Sequence, residues 1–224
     1  MKRQYLGDSK DCFKWDYHDY LISALDYKTL NILSMMTPDD KSNDGKTKPD
    51  WFPARNEIVE FCINLSSNRD LHGVKRLPLI TGSKYAVNLH KPNEYFSKKN
   101  RFLYFTGITS SESQLVFIDP DNGFEPENSS NVKHVRYSEV INILDQISSE
   151  SIVSVFQHFR RIKFAEDFIR IKHRLSKSNM TVYTTAIFWH QLMFVLVSKS
   201  EQTIQQVRSI NKAYSLKHPV QISG

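Results

Sequence analysis

The sequence predicts an α/β fold: a mainly parallel, Rossmann-like sheet flanked by helices and finished by a C-terminal antiparallel strand hairpin. Three observations carry this. In the second half, short apolar runs alternate with segments of helical periodicity, the pattern of a parallel sheet covered on both faces. The runs stop abruptly at Asp, Pro, Asn and Gly, which favour turns. Two further runs, Met180 to Phe188 and Gln191 to Val197, are separated only by Trp189-His190, too short for a crossover and suited to a hairpin.

Taken in order, Phe13 to Leu25 reads as an amphipathic helix, with Phe13, Tyr17, Tyr20, Leu21 and Ala24 in register and Asp11 as its cap. Thr29 to Met36 is strand-like and ends at Thr37-Pro38-Asp39-Asp40. Residues 41–54 form a long polar loop, and long loops in compact domains are often functional. Glu57 to Leu65 is helical. Residues 66–93 form an irregular insert, with candidate strands at Leu77-Pro-Leu-Ile and at Lys84 to His90. Tyr95 to Phe105 reads as a helix with Phe96, Phe102, Leu103 and Phe105 inward and Lys98, Lys99 and Arg101 on its exposed side. A buried strand follows at 115–119, then a loop through Asn131. Next come a helix from Tyr137 to Ile147, a strand from Ser151 to Phe156 ending at Gln157-His158, and a basic helix from Phe164 to Leu175. After the hairpin, Ser200 to Tyr214 closes as a helix. The whole of 1–224 is expected to be one α/β domain.

Composition narrows the function classes. Hydrophobic residues make up 40% of the 224, enough for a packed core. With 7 glycines there is no phosphate-binding glycine cluster, neither G-x-x-x-x-G-K-[ST] nor G-x-G-x-x-G. Cys12 and Cys62 stand alone, which excludes a cysteine zinc ribbon and a disulfide framework. No apolar run is long enough to span a bilayer, so a soluble, cytoplasmic chain without a membrane partner is expected. The net charge of +6 suits DNA or RNA, and suits plain solubility equally.

If the three apolar strands are parallel neighbours, their carboxyl ends share one edge, where ligands bind in open α/β sheets. That edge would gather Asp39, Asp40 and Asp44 from the first, Asp119, Asp121 and Asn122, with Glu125 beyond, from the second, and Gln157 and His158 from the third. Turn formation and helix capping explain the same aspartates locally. Arg160, Arg161 and Lys163, with Lys172, His173 and Arg174, form either a phosphate-tracking strip or a charged solvated helix.

The motif Gly7-Asp-Ser-Lys-Asp-Cys-Phe-Lys-Trp15, the Thr37-Pro-Asp-Asp40 loop, the turn Asp119-Pro-Asp-Asn-Gly-Phe-Glu125 and Gln157-His158 resemble a group of uncharacterised bacterial and phage proteins that carry a D-P-D-N-G turn. More distantly, the chain resembles class I S-adenosylmethionine-dependent methyltransferases of the kind that methylates adenine N6 in ribosomal RNA. That resemblance implies a methyltransferase-like sheet. It puts Gly7, Asp11, Lys14 and Trp15 near the cofactor and Asp119-Pro120-Asp121-Asn122 at the catalytic turn. This chain has Thr37-Pro-Asp-Asp where the family has a glycine-rich turn, and Asp121-Asn122 where it has Pro-Tyr.

Three functions follow as expectations. The first is S-adenosylmethionine-dependent methylation of a nucleic-acid base, with Asp119 receiving the target amine and Asp39 or Asp40 holding the cofactor. The second is a Mg²⁺-dependent nuclease or phosphohydrolase, with Asp39, Asp119 and Asp121 as ligands and His158 as acid or water-orienting group. The third is a non-catalytic interaction protein of phage defence or anti-defence.

Overall fold

The computed structural model describes residues 1–40, 47–127 and 131–224. Helix α1 (Ser9–Ala24) leads into β1 (Thr29–Leu33), and a long connection carrying α2 (Asn56–Asn68) and α3 (Leu77–Thr81) leads to β2 (Ala86–Leu89). The short α4 (Arg101–Tyr104) precedes β3 (Leu115–Ile118). A two-residue parallel ladder, β4 (Gly123–Phe124) with β5 (His134–Val135), comes before α5 (Tyr137–Gln146). The chain then runs through β6 (Ile152–His158), α6 (Phe164–Leu175), β7 (Tyr183–Trp189), β8 (Leu192–Ser198), α7 (Glu201–Ser215) and β9 (Gln221–Ser223).

Seven strands form one mixed sheet in the order β2-β1-β3-β6-β8-β7-β9. The first four are parallel. β8 is antiparallel to both β6 and β7, as the two-residue connection requires, and β9 is antiparallel to β7. From β1 the chain moves to one side for β2 and returns to the other side for β3. The order therefore reverses between β1 and β3, the kind of crevice where open α/β sheets bind ligands.

Side-chain alternation divides the core. Leu115 and Phe117 face a layer built by α1, α2, α3 and α7. Val116 and Ile118 face α5 and α6. All four are fully buried, which is why this stretch reads as a continuous apolar run. Among the described residues, no helix is long and apolar enough to cross a membrane.

Four local expectations are corrected. The first helix is not amphipathic: α1 buries Asp11, Lys14, Asp16, His18 and Asp19 along with its apolar residues, and its N-cap is Asp8 rather than Asp11. The first strand stops at Leu33, because Met35 takes φ +42° and turns the chain. Residues 77–80 are helical, not extended. Pro78 lies in the first turn, where its missing N–H costs nothing, and Gly82 closes the helix at φ +69°. Within 95–105 only α4 is helical, so Phe102 and Leu103 are exposed while Phe96 and Phe105 are buried. Arg101 points inward and grips Glu139 through Nε at 2.5 Å and Nη2 at 2.8 Å.

Candidate functional site

The site begins with the way α1 starts. Asp8 caps the helix by accepting the Lys10 and Asp11 N–H groups, each at 2.9 Å. Asp11 Oδ2 reaches back to accept the Gly7 N–H at 2.8 Å. Gly7 has φ +80°, and a Cβ there would run into the Cys62 carbonyl oxygen and the Ser66 nitrogen on α2. Its lack of a side chain lets this turn lie directly on α2.

One turn into the helix, Lys14 Nζ lies 2.6 Å from Asp11 Oδ1 and 2.8 Å from Asp119 Oδ2, with all three side chains almost completely buried. Asp119 continues β3 and donates its N–H to Leu33 O at 2.9 Å. After Pro120, Asp121 Oδ1 pairs with the Met1 ammonium at 2.6 Å, and its Oδ2 accepts the Thr37 hydroxyl at 2.7 Å. The same ammonium donates to Met35 O at 3.2 Å and Asp119 O at 3.3 Å, so Met1 lies across the crevice between β1 and β3. Lys2 pairs with Asp40. His158, at the end of β6, stands 3.4 Å from Lys10 Nζ through Nε2.

A cleft of about 360 Å³ opens on this arrangement. Of the residues expected at the site, Asp11, Lys14, Asp40, Asp119, Asp121, Asn122 and His158 line it. Gly7 and Asp39 do not. Asp39 is exposed and accepts the Gln4 N–H at 3.2 Å. Trp15 is fully buried edge-on against Phe117. Asp44 lies outside the described residues. Gln157 is buried and supports the neighbouring turn. Sequence reasoning missed Met1, Lys2, Asp8, Lys10 and Lys133, which also line the cleft. Asp8 had a readable signal, an Asp just ahead of a helical segment. The lysines had none: Lys2 is buried, and Lys10 and Lys133 reach the cleft only through the tertiary fold, which leaves no local mark.

The electrostatics are those of a self-neutralised cluster. Burial alone would drive the Lys14 ammonium to lose its proton, but Asp11 and Asp119 overcome this and raise its pKa above the ordinary lysine value. Burial pushes the Asp119 carboxyl up, against the pull of Lys14 and the Met1 ammonium. Burial also opposes ionisation of Asp121, yet the Met1 ammonium and the Thr37 hydroxyl hold it below the usual carboxylate value. Asp8 is pushed up to about 7, first by burial and then by the nearby Asp11 charge. A carboxyl that titrates near neutrality in a cleft is a candidate acid or base.

Neither expected cofactor fits these residues as they stand. Among the described residues, no three His, Cys, Asp or Glu side chains gather to hold a metal ion. The aspartates face ammonium groups instead. S-adenosylmethionine needs close backbone approach after the first strand. Here residues 34–40, directly after β1, contain no glycine, and Thr37 donates its N–H to Met1 O at 2.8 Å, so the chain's own residues fill that end. No protein-family model and no curated protein matches the chain.

Proposed function

We propose that the chain acts on nucleic acid and takes one unpaired base into the cleft at the β1–β3 reversal of a methyltransferase-like sheet. The carrying observation is the 2.8 Å Lys14–Asp119 pair, which joins the Gly7–Trp15 element to the Asp119–Asn122 turn at that reversal. The methyltransferase resemblance rests on the same two elements, and the antiparallel hairpin beside the parallel strands agrees with it. Lys14 fixes one oxygen of Asp119 and leaves the carboxylate placed to receive an exocyclic amine, with the Asn122 amide in the same turn. Lys10 and Lys133 line the same cleft and supply charge for phosphate. A base inside a duplex cannot reach Asp119, so the substrate base is flipped or single-stranded. These residues build the base-binding half of a methyltransferase site.

Calorimetric titration with AMP, CMP and UMP tests this. AMP and CMP, which carry exocyclic amines, are expected to bind more tightly than UMP, and Asp119→Asn is expected to erase the difference in a sample whose circular dichroism is unchanged. Equal binding of all three, or none, defeats the reading. S-adenosylmethionine belongs in the same series: heat of binding that disappears in Asp121→Ala would show that the β1 end rearranges to admit it.

A second reading, a non-catalytic module of the phage-defence or anti-defence kind, is favoured by one observation: Asp119, Asp121 and Asp40 are each paired with an ammonium group of the chain itself. It expects nucleic-acid binding to survive Asp119→Ala with base preference unchanged.

A further inference from the structure

Residues 160–177 hold seven Lys and Arg against two Asp and Glu, so these 18 residues carry +5 of the chain's formal +6. The charge is not spread evenly round α6. Phe164, Asp167, Phe168, Ile171 and Leu175 turn inward. Arg170, His173 and Arg174, with Lys177 one turn further on, follow the spacing of a single helix face. Those four line a groove of about 440 Å³ with Glu127. Arg170, Arg174 and Glu127 also line an adjoining groove of about 380 Å³, shared with Glu125, Tyr137 and Arg160. The two grooves are therefore continuous.

The upper end of the channel is tied to the turn that borders the candidate site. Arg160 donates to the Phe124 carbonyl and, at 2.8 Å, to Gln157 Oε1, so it is pinned to the turn that carries Asp119 and Asn122. At mid-channel the Arg174 guanidinium lies 4.5 Å over the Tyr137 ring, which holds it in place.

Local helix electrostatics explain only half of the charge. Cations in the last turn, Lys172 and Arg174, complement the negative end of the α6 dipole. Arg160 meets the buried Asp167 of the first turn at 3.8 Å, but Arg161 and Lys163 also crowd this opposite end, where cations are unfavourable and an anion is favoured. That accumulation calls for an external polyanion. Glu125 and Glu127 repel phosphate, but they accept hydrogen bonds from hydroxyl donors. A ribose 2′-hydroxyl is such a donor, and DNA lacks it.

We propose that this face of α6 is a track for the phosphate backbone of single-stranded RNA, leading its base to the Asp119 cleft. The proposal rests on the nucleic-acid reading above. Arg170 and Lys177 contact phosphates, and Glu127 receives a 2′-hydroxyl.

Fluorescence anisotropy with a labelled single-stranded RNA, across a salt series, tests it. Arg170→Glu combined with Lys177→Glu is expected to weaken binding tenfold or more. It should also reduce the slope of log K against log salt by about 1.4, because each single-strand phosphate contact contributes about 0.7. The control, Lys75→Glu with Lys84→Glu, makes the same charge change at two exposed positions outside the channel and should alter both quantities far less. Glu127→Gln should narrow the preference for RNA over DNA of the same sequence. Wild-type binding that both double variants weaken equally overturns the track and leaves the nucleic-acid reading standing. Equal affinity for RNA and DNA overturns the assignment to RNA. No binding by the wild type at low salt overturns track and reading together.

Discussion

Gln157 Oε1 accepts the Phe124 N–H at 2.9 Å, and the same side chain fills the space that a Cβ on Gly123 would need. The end of β6 thus holds the turn that follows β3, and Gly123, at φ +107°, is the residue that lets the two approach.

Gly123→Ala is therefore expected to destabilise the fold by about 1–3 kcal/mol from backbone strain alone, and further through displacement of Gln157. Urea denaturation of the two proteins gives the difference. A variant within a few tenths of a kcal/mol of wild type would show that the turn does not need glycine.

Lys14→Met leaves Asp11 and Asp119 buried without their cation, and removing one partner of a buried pair costs about 3–5 kcal/mol. Protonation of the carboxylates relieves that cost, so the deficit should shrink toward acid pH. The wild type shows the complementary limb. The folded-state pKa of Lys14 is raised, so its stabilisation is complete below the unfolded lysine value of about 10.4 and is lost as pH rises through the higher folded value. Stability that stays level above that pH would contradict the pairing.

Asp8 gives a pH dependence of opposite origin. Its folded pKa, about 7, is above its unfolded value, so the folded state binds the extra proton between roughly pH 4 and 7, and its contribution to stability falls as pH rises through that window. Asp8→Asn keeps a capping oxygen and removes the titration. The variant should gain about 2–4 kcal/mol on wild type between pH 4 and 8, since each pKa unit is worth about 1.4 kcal/mol. Parallel stability curves for the two proteins would rule this out.

His18 lies fully buried, with Nδ1 2.7 Å from Lys14 O and Nε2 2.9 Å from Ser154 Oγ. Burial holds its pKa down to about 3. The folded state therefore keeps it neutral while the unfolded state protonates near 6.5, so its contribution is present above about pH 6.5 and is lost as pH falls toward 3. NMR should show no His18 titration between pH 5 and 8. Ser154→Ala should cost about 1–3 kcal/mol by leaving a buried nitrogen unsatisfied.

How much of this was legible in the sequence follows from the range of each interaction. The strand at residues 115–118 and the helix at 164–175 announce themselves because burial and periodicity are written into neighbouring residues. The meeting of three strand ends followed from the parallel order, and Asp40, Asp119, Asp121, Asn122 and His158 do line one cleft. The Lys14–Asp119 pair spans 105 residues and leaves no local trace. The error over α1 has the same root. Periodicity assumes that polar residues face water, whereas Asp16 and Asp19 turn inward to Arg55, each with a contact at 2.8 Å.

The all-round burial of α1 also bears on the order of assembly. The Tyr17 hydroxyl donates to Asn211 at 2.7 Å, and the Tyr214 hydroxyl donates to Asp16 at 2.6 Å. During synthesis α1 thus waits for partners in α7, about 200 residues later. Contacts of such long sequence separation slow folding. Until α7 emerges, α1 must hold its apolar residues and its charges in a half-built molecule, and chains truncated before Tyr214 leave the tunnel without a finished core.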